Sequence, residues 1–541
     1  MTTIDPPVAG SGVDRAAGQT GTALASVADW VTTTDHKKLG RMFVATSLLI
    51  GLATAVIGVL LGVERIDATD DMIDTGALPQ LLSLFRLGLT FGAVVPLGLG
   101  LAIAVVPLQL GARALAFPRL AAAGFWSWLM GTGLMIGSIV ANGGPGGGDE
   151  DMVQLFLVSM ALSIIGLVAA AGAVATSVLT TRAPGMNMRR VPLFSWSALV
   201  YALGLVLALP VLVAVLVALY IDHNYARSTF GGNVGIAGWI NVSASQPATL
   251  LYAVPVFGVL LDTVATATRK RLPLRGVALA GVGLVGTALF AGVAQVEAFL
   301  SRDIIDFQTS YALREIVPFA ILNGLPLLGG VVVMGVLLLA LAGRPRVLSP
   351  WVFAFFGAGM VFVGMLGTVV YHVGDAQVYA TVFEEGAWIY VCYGTILGLL
   401  GGIVHWGPKL WGRTMPDKQV LPLALLGVAA TVLASLPYYI AGFADQPAGA
   451  TIFDYAGPQG LWNTLVAVGH GLMALTVLAF AGLAIKSFGS GAHAGDDPWD
   501  GQTLEWATPS PAPADNFADV HVIASAEPLL DLKPARTEGA V

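Results

Sequence analysis

Residues 193–220 read LFSWSALVYALGLVLALPVLVAVLVALY, a run without a single charged side chain. About 20 mostly apolar residues are enough for a helix to cross the bilayer core. This run is too long and too uniformly apolar for the buried helix of a soluble domain. Eleven similar windows flank it, near 41–62, 87–111, 120–142, 153–180, 237–262, 276–297, 316–343, 347–371, 386–407, 420–443 and 460–485. The sequence therefore predicts an all-α membrane protein of twelve transmembrane helices. The sixth window is the weakest, because Asn241, Ser243, Ser245 and Gln246 interrupt its first half.

Composition agrees. The chain is 56% hydrophobic and 11% charged, with a mean hydropathy of +0.80; soluble domains carry about 25% charged residues. Residues 1–28 are polar, lack an apolar signal region, and read as a flexible tail. The predicted bundle occupies 29–488, and 489–541 form a second tail rich in Pro, Ala and Asp. Charge alternates along the loops. Lys37, Lys38 and Arg41 precede the first span, and basic clusters follow the second, fourth, sixth, eighth and tenth, among them Arg189, Arg190, Arg269, Lys270, Arg271 and Lys409. The intervening loops carry Asp67, Asp70, Asp71, Asp74, Asp149, Glu150 and Asp151. The positive-inside rule then places both termini in the cytoplasm, in a plasma membrane of bacterial type. A net charge of −7 argues against a nucleic-acid partner. Cys392 is the single cysteine, so there is no disulfide framework, and a thiol in an apolar helix reads as packing.

Ionisable groups inside a bilayer are costly and mark ion or proton pathways. The twelve windows contain almost none. Asp262 and Arg41 fall at cytoplasmic ends, where snorkelling accounts for them. Gln246, Gln295, Asn323 and Asn463 are polar groups that neighbouring helices can satisfy. His470, mid-span in the twelfth window, is the candidate intramembrane polar site. His405 beside Trp406 reads as an interfacial anchor. His372, Asp375, Glu384 and Glu385 form an outer cluster of the type that binds a divalent ion, or else a solvated loop face.

Six segments occur in an order that carries further information: WVTTTDHKKLG from Trp30, VVPLQLGARALAFPRL at 105–120, RAPGMNMRRVPLFSWSALV at 182–200, IDHN at 221–224, WGPKLWGR at 406–413 and DPWDGQTLEWATPSPAP at 497–513. Together they resemble cytochrome c oxidase subunit I, of the haem–copper oxidase superfamily. The resemblance implies a twelve-helix fold and, ordinarily, six histidines holding two haems and a copper, because those metals take neutral imidazole. Carried over by local anchors, the ligand positions fall at Phe85, Gln246, Gln295, Val296, Gly386 and Trp388, none of them histidine. The motif His-Pro-Glu-Val-Tyr becomes Gln246-Pro247-Ala248-Thr249-Leu250. The family's proton-path residues fall at Ala114, Ala121 and near Leu322, and its propionate-binding arginines at Ala448 and Gly449.

The resemblance thus implies a degenerate, cofactor-less paralogue, with bulky side chains filling the vacated volume. Three functions follow as expectations. One is a non-redox structural, assembly or regulatory subunit of a respiratory complex, partnered by oxidase subunits II or III or by a haem-bearing subunit I. The second is a carrier or binding protein for a lipid, quinone or other hydrophobic molecule in the emptied cavity. The third is a terminal oxidase with unconventional ligands. The Trp499–Trp506 segment is expected to pack along the bundle or a partner.

Overall fold

A computed structural model describes residues 28–67, 72–73, 76–294, 305–306, 313–451, 453, 457–519 and 522–532. Among them are twelve helices long and apolar enough to cross a membrane. They are α1 (His36–Glu64), α2 (Leu78–Gln109), α3 (Pro118–Val140), α4 (Glu150–Thr180), α5 (Leu193–Asn224), α6 (Gly235–Thr268), α7 (Arg275–Val293), α8 (Glu315–Leu341), α9 (Ser349–Tyr371), α10 (Phe383–Trp411), α11 (Asp417–Phe443) and α12 (Gln459–Ser490). A helix is the form these sequences take because lipid offers no partner to a bare N–H or C=O.

The helices are not equivalent. The apolar windows of α2, α6 and α10 are wholly buried by protein, whereas those of the other nine are 33–56% buried and present the rest outward. Every fourth span is therefore an inner one. Small residues let the outer helices close around them. A Cβ added to Gly357 of α9 would lie 2.3 Å from the Gly398 backbone of α10, and one added to Gly131 of α3 would lie 2.4 Å from the Ser163 backbone of α4. α12 packs on both α1 and α11 and closes the bundle.

The interruption expected in the sixth span is a real break. Helical turns stop at Ala244 and resume through a 3-10 stretch, Ala248–Ala253. Most boundaries shift by a few residues from the sequence windows, and two shifts change the charge inside the bundle. α2 begins at Leu78 rather than near 87, and α10 at Phe383 rather than 386. Arg86, Glu384 and Glu385 consequently lie within helices, which corrects the expectation of a bundle almost free of charge.

The basic loops and the C-terminal segment share one end of the bundle. Arg275 pairs with Glu527 at 3.1 Å, and Arg346 donates to the Trp499 carbonyl at 2.7 Å. Asn516 reaches His36 and donates to the Ala112 carbonyl. A short antiparallel pair, β1 (Arg413–Thr414) and β2 (Ala492–His493), ties the exit of α12 to the end of α10. Trp499 and Trp506 are buried against this end.

Asp262 does not snorkel. It is buried, and its carboxylate accepts the Leu193 and Phe194 N–H groups at the start of α5 and the Gln109 amide at 2.9 Å. His405 is likewise no interfacial anchor but a buried ring packed between Trp406, Trp499 and Trp506.

Candidate functional site

The inner helices bring the most distinctive side chains together near the end opposite the basic loops. Phe85 on α2 and Trp388 on α10 meet edge to face, with ring centroids 5.3 Å apart. His470 on α12 meets the same Phe85 ring at 5.4 Å, and its Nδ1 is 2.6 Å from the Tyr393 hydroxyl of α10. Gly58 of α1 makes room for this imidazole, since a Cβ there would fall 2.8 Å from it. His470 is thus a buried histidine with a phenol partner. Cys392 is buried in the neighbouring core.

Two arginine–glutamate pairs lie beside this cluster. Arg86 grips Glu384 with both terminal nitrogens, at 3.1 and 2.8 Å, and donates to the Ser245 hydroxyl. Such fork-to-fork pairing fixes geometry as well as charge. Glu384 also accepts the Gln246 N–H at 3.0 Å, so it spans the break in α6. The Arg86 guanidinium lies 4.9 Å over the Trp388 ring. Arg65, just past α1, uses only Nη1, which donates to both Glu385 oxygens at 3.1 Å and to the Tyr438 hydroxyl at 2.6 Å. Burial would pull the Arg65 guanidinium down, but the Glu385 carboxylate and Tyr438 beside it hold it above its ordinary value, so Arg65 stays cationic.

The outer cluster drawn from sequence does not assemble as a metal site. Glu384 and Glu385 are engaged by the arginines, and His372 is a buried ring whose Nδ1 meets the Thr368 carbonyl at 2.8 Å. That corrects its reading as part of a solvated face. Asp375 lies in the short turn after α9. No group of three or more His, Cys, Asp or Glu able to hold a metal occurs among the described residues.

Four of the six positions that the resemblance assigns to ligands are described. Phe85 offers no lone pair, and the indole of Trp388 is a donor only. Gly386 has no side chain, and a Cβ there would fall 2.9 Å from the Ser435 carbonyl oxygen. Gln246 is buried, with neither amide atom partnered among the described residues. These four positions do not fit haem iron or copper, which take imidazole here by family precedent. Gln295 and Val296 lie outside the described residues. Ala448 and Gly449 line the mouth of a cleft above the cluster. Asn463 bonds to Gln446, and the Asn323 amide has no partner among the described residues.

Sequence reasoning missed Arg65, Arg86, Tyr393 and Tyr438. One signal was available: Arg65 and Arg86 stand on the side whose loops carry mostly acidic charge.

This geometry defines an integral membrane protein whose polar centre joins the lipid-shielded α2, α6 and α10 to α11, α12 and the exit of α1. The model of the family "Cytochrome C and Quinol oxidase polypeptide I" matches residues 38–472, and the chain belongs to that family. It is 26% identical to cytochrome c oxidase subunit 1 of Thermostichus vulcanus over 509 residues, covering 90% of each chain. It is 27% identical to a putative cytochrome c oxidase subunit 1-beta of Streptomyces avermitilis, covering 94% of this chain and 92% of that one. A haem–copper oxidase subunit I+III of Aeropyrum pernix is 28% identical over 92% of this chain and 62% of its own.

Proposed function

We propose that this chain is a non-redox member of the oxidase subunit I family, acting as a structural, assembly or regulatory subunit of a respiratory membrane complex. The observation that carries the reading is the direct contact of Phe85 with Trp388 and His470, where the resemblance puts two metal ligands. A void costs roughly 24 cal/mol per Å³, so a fold that lacks its prosthetic group must fill the space. Here aromatic rings fill it, and two buried ion pairs tie α10 to α2 and to the exit of α1. Each pair is bidentate or additionally hydrogen-bonded, as desolvated charges require.

Both termini lie in the cytoplasm on this reading, following the basic loops. The bundle comprises residues 29–488, with 489–541 as its cytoplasmic tail. Its partners are other membrane subunits, of the II or III type or a haem-bearing subunit I; the I+III relative carries two such subunits in its name. The test is affinity purification of the tagged full chain in mild detergent. Copurification of a haem-bearing oxidase supports the subunit role. Recovery of the chain alone, across several detergents and with cross-linking, contradicts it.

A further inference from the structure

The acidic end of the bundle holds a cleft of about 340 Å³. Exposed Pro79, Ala448 and Gly449 form its mouth, and buried Phe85, Trp388 and Arg65 its floor. Its charged lining sums to zero, because Arg65 and Arg86 face Glu385 and Glu384.

The floor has unspent donors. Arg65 is 1% exposed, and its Nε and Nη2 have no hydrogen-bond partner among the described residues. Glu385 and Tyr438 both take Nη1. The edge left over is the Nε–Nη2 fork, two parallel N–H groups spaced for the two oxygens of a carboxylate or phosphate. Trp388 is fully buried, and its Nε1–H is also unpartnered. The glutamate oxygens nearby are already engaged, so the floor offers donors rather than acceptors. Leaving such groups bare costs their full desolvation penalty. The lining of the cleft includes Leu82 and Phe85, which suit an apolar body.

We propose that this cleft binds an amphipathic oxyanion, a carboxylate or phosphate on an apolar body, held bidentately by the Nε–Nη2 edge of Arg65 and by Trp388 Nε1. The site goes beyond the structural role proposed above and rests on the cleft alone. Two sources share the chemistry: a membrane phospholipid headgroup and a free carboxylic acid. Two variants separate the site from the fold. Arg65→Lys keeps a cation for Glu385 and Tyr438 but has no fork. Trp388→Phe keeps a ring against Phe85 and Arg86 but has no N–H.

The experiment uses the full chain in mild detergent. Native mass spectrometry reads retained phospholipid. A thermal-stability titration of the delipidated chain uses decanoate, with decanol as the neutral control. One phospholipid per wild-type chain, lost in both variants, assigns the site to lipid. A stability rise with decanoate but not decanol, weakened about tenfold in each variant, assigns it to a free carboxylate. If Arg65→Lys fails to fold, Trp388→Phe carries the comparison. The proposal is overturned if the wild type shows neither retained phospholipid nor a decanoate-specific rise, or if every folded variant binds as the wild type does. Haem content of the same preparations is read independently, so this site and the proposed non-redox role can fail separately.

Discussion

Replacing Trp388 with alanine tests whether aromatic packing holds the centre of the bundle together. The ring is fully buried on an inner helix, so the unfolded reference is a helix in lipid rather than a side chain in water. The usual transfer term nearly vanishes, and the lost contacts remain. A residual void of about 100 Å³ costs about 2.4 kcal/mol at 24 cal/mol per Å³. The edge contact with Phe85 adds about 1 kcal/mol, and the Arg86 guanidinium over the ring adds up to about 2 kcal/mol in a desolvated site. The expected loss is therefore about 3–5 kcal/mol, read by reversible unfolding of the purified chain in mixed micelles with increasing SDS. Trp388→Phe, which keeps most of the volume, is expected to lose less than half as much. A loss below about 1 kcal/mol for Trp388→Ala would refute the packing argument.

Breaking one side of the Arg86–Glu384 pair with Glu384→Gln leaves a buried guanidinium undercompensated and is expected to cost about 3 kcal/mol or more. The double substitution Arg86→Leu/Glu384→Leu should recover much of that, and a double-mutant cycle measures the difference. Gly386→Val places a Cβ 2.9 Å from the Ser435 carbonyl and should lower the thermal midpoint of the purified chain, whereas Gly133→Ala, which meets open space, should not. Glu505 lies outside the spans, and burial pushes its carboxyl up. A raised native pKa means that stability present at low pH is lost as pH rises through the folded-state value. Glu505→Gln should therefore gain on the wild type in thermal scans as pH rises above the ordinary carboxylate range, because its amide keeps an oxygen for Trp406 and Gln109. Asn516→Ala removes a fully buried link between the tail, His36 and the Ala112 carbonyl. It should cost about 1–3 kcal/mol and increase protease cleavage within 491–519.

The spans were legible because each is an apolar run long enough to cross a bilayer, and even the break in α6 announced itself through Ser245 and Gln246. The inner and outer ranks were not legible. α5 has a mean hydropathy of 2.9 and is less than half buried, whereas the wholly buried α6 and α10 reach only 1.8. Lipid is as apolar as a protein interior, so hydropathy does not separate the two environments. The proposed ligand positions rest on the resemblance, counted from local anchors such as Pro96 and Trp406. The arginine pairs could not, because Arg65 and Glu385 stand 320 residues apart in the chain and each fell just outside a hydropathy window. The Tyr393–His470 contact was invisible for the same reason: nothing local on either helix signals its partner.

Haem and copper content per chain decides whether this bundle is a non-redox member of its family. The full chain is expressed with haem and copper supplied, purified in mild detergent, and assayed by pyridine haemochrome spectroscopy and elemental analysis. Neither haem nor copper is expected at stoichiometric levels, and the same result is expected for Phe85→His/Trp388→His, because His470 and Tyr393 still occupy the space beside those positions. One haem per wild-type chain would contradict that expectation.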